Sequence, residues 1–325
     1  MSAEKLQILR GDAEVPIDGI LGKKVSLIGY GNQGRSHALN LRDSGLDIVI
    51  ATRSAQNATN DNFRIVTIAE ASKADLIIIA LPDELQGELY QNEILPYLNP
   101  NTVLGFIHGF SIHYGHIDPP PGVGVVMDAP KGPGDTVRQR FQNGTGVPAL
   151  LAVERENTEA TARSIALGWA AGIGAGRTAV IESTFADETE TDLFGEQAII
   201  VGGLVTLIRA AYETLVSSGY PPELAYIECC HEVKQVADIL HEKGMSEMMA
   251  AISNTAEMGA YEAMDRLDDE HLRDHFRTIL QDVRDGSFAK RLVNNKISSK
   301  REELANHEID QIGKEIRSLM QPKTD

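Results

Sequence analysis

The chain has 325 residues, of which 47 are acidic and 30 basic, giving a formal charge of −17. A balance this acidic argues against nucleic acid or an anionic membrane surface as partner, and the length exceeds what one hydrophobic core usually organises, so two domains are expected. No run is read as a membrane span or a signal-peptide core, and the two cysteines, Cys229 and Cys230, are neighbours that suggest packing thiols rather than a disulfide framework; a cytoplasmic protein is expected.

In chain order, the first informative segment is Val25-Ser-Leu-Ile followed by Gly29, Tyr30, Gly31, Asn32, Gln33 and Gly34. An apolar run ends in G-x-G-x-x-G and passes directly into a helix-compatible stretch, the context a dinucleotide fingerprint requires. Gly29 serves the tight turn, Gly31 the approach of backbone to a pyrophosphate, and Gly34 close helix–strand packing. The phosphates would meet the free N–H groups of a helix N-terminus. A bare glycine turn is the alternative, but strand-like runs at Asp47–Ala51 and Leu76–Leu81 follow at βαβ spacing.

Further strands are predicted at Thr102–Ile107, Gly124–Met127 and Ala149–Val153, with a helix over Glu159–Ala171. Three of these apolar runs lead into turn-rich segments. Leu81, Pro82, Asp83 and Gln86 follow the first, His108 the second, and Lys131 with Gly134 the third. In an open parallel sheet such strand ends form the crevice where ligands bind, and a lysine there can hold or move a proton near developing oxyanion charge.

The chain divides near Phe185, into an α/β domain over 1–184 and an all-α domain over 185–325, with a charged, amphipathic tail from Lys300 that reads as a surface helix or partner contact. Within the helical part, Asp192 and Glu196, and again Glu228 and Glu232, are carboxylates four residues apart, and Glu188 extends the first pair by one turn. On a helix each pair shares a face. The flanks Ala198–Val201 and Leu224–Ile227 are apolar, so these helices are expected to be largely buried, and buried carboxylates must be paired, protonated or metal-bound. Oxygen-only ligands favour a hard ion such as Mg²⁺.

These motifs resemble ketol-acid reductoisomerase, the acetohydroxy acid isomeroreductase of branched-chain amino acid biosynthesis, in its short form. The likeness runs through Gly29–Gly34, Leu39–Gly45, Leu81–Glu84, His108–Phe110, Ala129–Gly134, Glu188–Gln197, Ala225–Glu232 and Ile252–Glu257. It implies a Rossmann domain followed by a knotted helical domain, and two intertwined chains, so that Asp192 and Glu196 of one share a site for two Mg²⁺ ions with Glu228 and Glu232 of the other. It also implies that Ser253 binds the substrate carboxylate and that Glu188 stands behind the metal ligands, in a catalytic set with His108 and Lys131. The reaction implied is an alkyl shift in a 2-hydroxy-2-alkyl-3-keto acid, then hydride transfer to give a 2,3-dihydroxy acid.

The chain departs from the family pattern in several places. Arg53 and Ser54 open a segment to Phe63 that is shorter than the usual loop for the 2′-phosphate of NADP, and Gln56 and Ala58 stand where phosphate-binding hydroxyls are common. NAD or NADP is therefore left open, with a lean to NAD. Asn32 replaces the usual Ser, Asp128 a small apolar residue, and Asp135 a His, while Met258 and Ala260 replace an aromatic and an Asp. Besides the family reaction, two readings stay open: a relative reassigned to another hydroxy acid, by oxidation with rearrangement or small-ring closure such as to a cyclopropanol, and a non-catalytic dinucleotide-binding protein.

Overall fold

Short apolar runs bounded by glycine and proline become the strands of one sheet in a computed structural model that describes residues 6–294 and 298–320. The strands are β1 (Ile8–Leu9), β2 (Val25–Ile28), β3 (Ile48–Ala51), β4 (Arg64–Ile65), β5 (Leu76–Ile79), β6 (Val103–Phe106), β7 (Gly124–Pro130), β8 (Ala149–Arg155) and β9 (Val180–Glu182). Their order is β1-β9-β8-β7-β6-β5-β2-β3-β4. From β7 to β4 every neighbouring pair is parallel, while β8 runs antiparallel to β7 and β1 antiparallel to β9. Strand order reverses beside β2, where the glycine-rich turn emerges, and a crevice at such a reversal is where open α/β sheets bind ligands.

Parallel strands buried on both faces read as continuous Val/Ile/Leu runs, and β2 and β5 have no exposed residue. One face packs against the helices Asn32–Asp43 (α1) and Ala162–Ile173 (α2) through Leu27, Leu41, Ile78 and the fully buried Trp169. The other holds Ile77, Ile79, Phe106 and Met127. His37 of α1 lies in the first layer, where its Nδ1 accepts the Trp169 Nε1–H at 3.0 Å. Burial lowers its pKa to about 3, so the ring is neutral at physiological pH.

The chain falls into two compact units, Met1–Thr191 and Asp192–Asp325. The expected boundary at 184/185 coincides with the start of the helix Phe185–Gly195 (α3), and the contact boundary lies inside that helix. The second unit is helical throughout its described residues, as expected, from Gly202–Ser217 (α4) to Glu308–Met320. Its small core joins Tyr212, Ala225 and Tyr226 to Ile309, Ile312 and Ile316, pinned by Tyr212 Oη donating to Glu308 at 3.0 Å and Arg317 donating to Tyr226 Oη at 2.9 Å. The tail beyond Lys300 forms helix as far as Met320, and its last residues, 321–325, lie outside the described ones.

Two expectations need correction. The acid-bearing helices are not buried within one chain: Ile199, Ile200 and Val201 are each more than half exposed, as are Leu207 and Leu267. The described residues of one chain leave this apolar side of the helices uncovered. Nor is a span-length run lacking, because α3 and α4 continue one another over Phe185–Ser217, long and apolar enough to cross a membrane by length and composition. Most of the acids in this run, Asp187, Glu188, Glu190, Asp192 and Glu196, lie in its N-terminal part, and Glu213 lies near its C-terminal end.

Candidate active site

Gly29 follows β2 at φ +102°, a conformation open to glycine, and a side chain there would strike the Ala80 carbonyl after β5. Gly34 is closely packed as well, its missing Cβ lying 2.7 Å from the Gly29 carbonyl oxygen and 3.0 Å from the Ala80 methyl. Gly31, between them, has nothing within 4 Å of where a Cβ would project. Its open face, at the N-cap of α1, is the space a pyrophosphate would take, so the residues present fit a dinucleotide.

The neighbouring loops are tied to this turn. Gln33 Nε2 donates to the Gly132 carbonyl at 2.8 Å, and Gly134, opening the helix Gly134–Gln142, lies so close on Asn32 that a Cβ would fall 2.7 Å from its Oδ1. Pro82 precedes the helix Asp83–Leu89, and Gln86 Nε2 folds back to donate to the Leu81 carbonyl at 2.8 Å and Asp83 Oδ1 at 2.9 Å. Arg53 and Ser54 are exposed after β3, and Arg53 makes no ion pair among the described residues.

Three residues distant in sequence converge beside these strand ends. Glu188, only 1% exposed, accepts the Lys131 ammonium at 2.7 Å, the His108 Nδ1 at 2.9 Å and the Gly109 amide at 2.9 Å. Burial pushes the Glu188 pKa up, but His108 and Lys131 outweigh it and hold the carboxyl down at about 2. The imidazole is thereby fixed with Nδ1 protonated, and Lys131 is anchored with its ammonium charged. Gly109 is required for the approach: a side chain there would collide with Thr189 Oγ1 and come within 2.7 Å of the Phe185 carbonyl.

Asp192 stands one turn beyond Glu188 on the same helix. From Glu196 to Ile200 the helix widens into a π turn, closed by Val201 N–H donating to the Glu196 carbonyl at 3.0 Å. Glu228 lies in a second π turn, Ile227–His231, closed by Glu232 N–H donating to the Ile227 carbonyl at 3.3 Å. Each acid pair therefore has one member, Glu196 or Glu228, within a π turn, a feature frequent at functional sites. Among the described residues, no three of these four carboxylates come together as a ligand set in one chain. Ser253 is exposed and caps the helix Asn254–Leu267, accepting the Ala256 amide at 3.2 Å.

Comparison with known proteins decides the family. Residues 19–179 match the NADPH-binding domain of acetohydroxy acid isomeroreductase, and residues 185–322 match the C-terminal domain of ketol-acid reductoisomerase. The chain belongs to the ketol-acid reductoisomerase family. It is a nicotinamide-dependent enzyme of the oxidoreductase and isomerase type. A solved NADH-preferring ketol-acid reductoisomerase from an uncultured archean superimposes with a TM-score of 0.93 at 37% identity, covering 97% of this chain and 100% of that one. A semialdehyde dehydrogenase NAD-binding protein from Cupriavidus necator, in complex with calcium and NAD, has a TM-score of 0.61 at 20% identity over 81% of this chain and 99% of its own, a likeness of fold alone.

Three features of the site escape sequence reading. One is the Gly109 amide as third donor to Glu188, signalled only by the glycine after His108. The second is Asp61, which gathers Tyr30 and Arg35 beside the glycine turn. The third is the isolation of Asp128: it is wholly buried on β7, and neither carboxyl oxygen has a hydrogen-bond partner.

Proposed function

We propose that the enzyme is an Mg²⁺-dependent ketol-acid reductoisomerase acting on a 2-hydroxy-2-alkyl-3-keto acid of the 2-acetolactate type, with NADH preferred over NADPH. The observation that carries this reading is the convergence of Lys131, His108 and the Gly109 amide on one buried carboxylate, Glu188, a single helical turn from Asp192. The four carboxylates offer oxygen only, the donor set of a hard ion, and Asp192 and Glu196 of one chain with Glu228 and Glu232 of a second would hold two Mg²⁺ ions. Bound there, the ions supply Lewis acidity to substrate oxygens, as the nicotinamide supplies hydride.

The chain's own residues have separable tasks. Glu188 stays ionised at any working pH and so anchors rather than transfers protons. Lys131, charged and tethered at its Nζ, is placed to donate a hydrogen bond or proton to an oxygen that gains negative charge during the alkyl shift. His108, oriented through Nδ1, presents Nε2 as its second polar atom. Ser253, at a helix N-terminus, offers a hydroxyl and nearby amides to a substrate carboxylate.

Shared sites require an oligomer, and the apolar surface of the helical unit supports one. Ile199, Ile200, Val201 and Leu207 expose between 57% and 63% of their surface in a single chain, more than an isolated soluble unit normally leaves contiguous. A second copy of the chain covers that face in this reading, and the protein is cytoplasmic. The NADH preference draws on the short segment after β3 and on the NADH-preferring relative. Reassignment to another hydroxy acid is the second reading, favoured by Met258 and Ala260 on the helix that Ser253 caps.

The test is turnover of 2-acetolactate with NADH as Mg²⁺ is titrated. Asp192→Asn and Glu232→Gln chains, inactive alone, should regain activity when unfolded together and refolded as a mixture. No turnover of 2-acetolactate, with Mg²⁺-dependent turnover of another hydroxy acid, would select the second reading; a fully active monomer by light scattering would refute shared sites.

A further inference from the structure

Asp61 ends the helix Ala55–Asn60, which begins just after β3 where a dinucleotide's adenosine ribose is read. Its carboxylate accepts the Tyr30 hydroxyl at 2.9 Å, and Tyr30 is the residue between Gly29 and Gly31. The same carboxylate takes Arg35 in a two-pronged bond, Nε to Oδ2 at 2.7 Å and Nη2 to Oδ1 at 3.0 Å. The Asp61 carbonyl accepts Arg42 Nη1 at 2.5 Å, and the Arg42 guanidinium lies 4.7 Å above the Phe63 ring. Two arginines of α1 are thus drawn onto one residue at the edge of the glycine turn. Arg53, exposed just after β3, makes no ion pair among the described residues.

A 2′-phosphate brings a dianion to the segment that follows β3 and needs charged, forked donors, whereas the 2′-hydroxyl of NAD needs none. Asp61 works against the phosphate in two ways: it occupies the guanidinium fork of Arg35, and it leaves a fixed negative charge beside the turn. Arg35 bonding holds this carboxyl below its ordinary range, so the charge persists across the working pH.

We propose that Asp61 is a specificity-determining residue that disfavours NADPH by sequestering Arg35 and by placing a carboxylate next to the dinucleotide turn. The proposal rests on the reading of the chain as NADH-preferring, and it identifies the residue that enforces that preference.

The experiment is a fluorescence titration of purified enzyme with NADH and with NADPH, without substrate and at low salt. Wild type should bind NADH the more tightly. Asp61→Asn keeps the shape and the Tyr30 contact but removes the charge and frees Arg35; NADPH should bind about three- to tenfold more tightly, a range discounted for the half-exposed arginine, with NADH changed less than twofold. Adding Arg35→Ala to that variant should erase the gain. The single Arg35→Ala variant, which leaves Asp61 uncompensated, should weaken NADPH further while sparing NADH, and raised salt should narrow every difference. Equal weakening of both dinucleotides in Asp61→Asn and Arg35→Ala would overturn the proposal, because a purely structural clasp affects both alike. Wild type that binds NADPH tenfold more tightly than NADH would instead refute the cofactor reading, whatever the variants do.

Discussion

Replacing Asp128 by valine should make the protein more stable. Asp128 lies on β7 with its side chain wholly buried, on the face that Val126 and the facing Leu151 of β8 share with Trp169. Neither carboxyl oxygen has a protein partner, and burial holds the group well above the ordinary carboxyl value of 3.8. An unbonded polar group taken out of water costs about 1–3 kcal/mol, and the penalty includes the work of keeping the acid protonated. Valine is close in volume and suits a strand, so most of the change should be recovered, leaving about 2 kcal/mol after imperfect packing. For a unit of this size that corresponds to roughly 4–8 °C in thermal midpoint. Because the folded pKa is raised, the acid's favourable contribution is present below 3.8 and is lost as pH rises through its folded value. The advantage of Asp128→Val should therefore be small near pH 4 and grow toward pH 8. Calorimetry across that range measures it. A variant less stable than wild type at pH 7, or a difference independent of pH, would mean that the carboxyl is internally satisfied, by an ordered water or a partner, and would refute the reasoning.

Glu188→Gln should cut turnover at least a hundredfold, since Lys131 and His108 lose the charge that positions them, while NADH binding by fluorescence stays within about twofold. Its depressed pKa contributes stability that is complete above 4.5 and lost as pH falls toward about 2, so the variant's acid unfolding should be flatter over that window than wild type; superimposable acid transitions would contradict the assigned pairing. Gly109→Ala forces a methyl onto Thr189 and the Phe185 carbonyl and should destabilise the first unit by about 1–3 kcal/mol in denaturant titration, with turnover falling further than stability because the Glu188 contact is displaced.

The long elements were legible because their physics is local. The run Val25–Ile28 into Gly29–Gly34 carries its strand, turn and helix in adjacent residues, and each acid pair declares its helical spacing. Strands of two or three residues, such as Ile8–Leu9, Arg64–Ile65 and Val180–Glu182, are too short to show a period. The reversal of β8 was hidden because alternation reports which face a residue takes, not strand direction. Burial of the acid helices was misjudged for a related reason: an apolar flank says that a surface will be covered, not that its own chain covers it. Glu188 was named by its spacing one turn before Asp192 and its role by family likeness, but its convergence with residues 57 and 80 positions away in sequence is a tertiary fact that no window contains.

The two π turns alter how the helical half must be counted. Each adds one residue relative to an α-helix, and at 3.6 residues per turn one residue is about 100° of rotation, so side chains beyond Ile200 and beyond His231 are out of phase with those before. A helical wheel drawn straight through either turn assigns the following residues to the wrong face. The same arithmetic makes these positions natural sites of single-residue length change: deleting one residue within Glu196–Ile200 would return the helix to regular hydrogen bonding while leaving everything downstream facing as before, because the wide turn absorbs the extra residue. Closely related chains can therefore be compared through this region only when the extra residue is aligned with its counterpart.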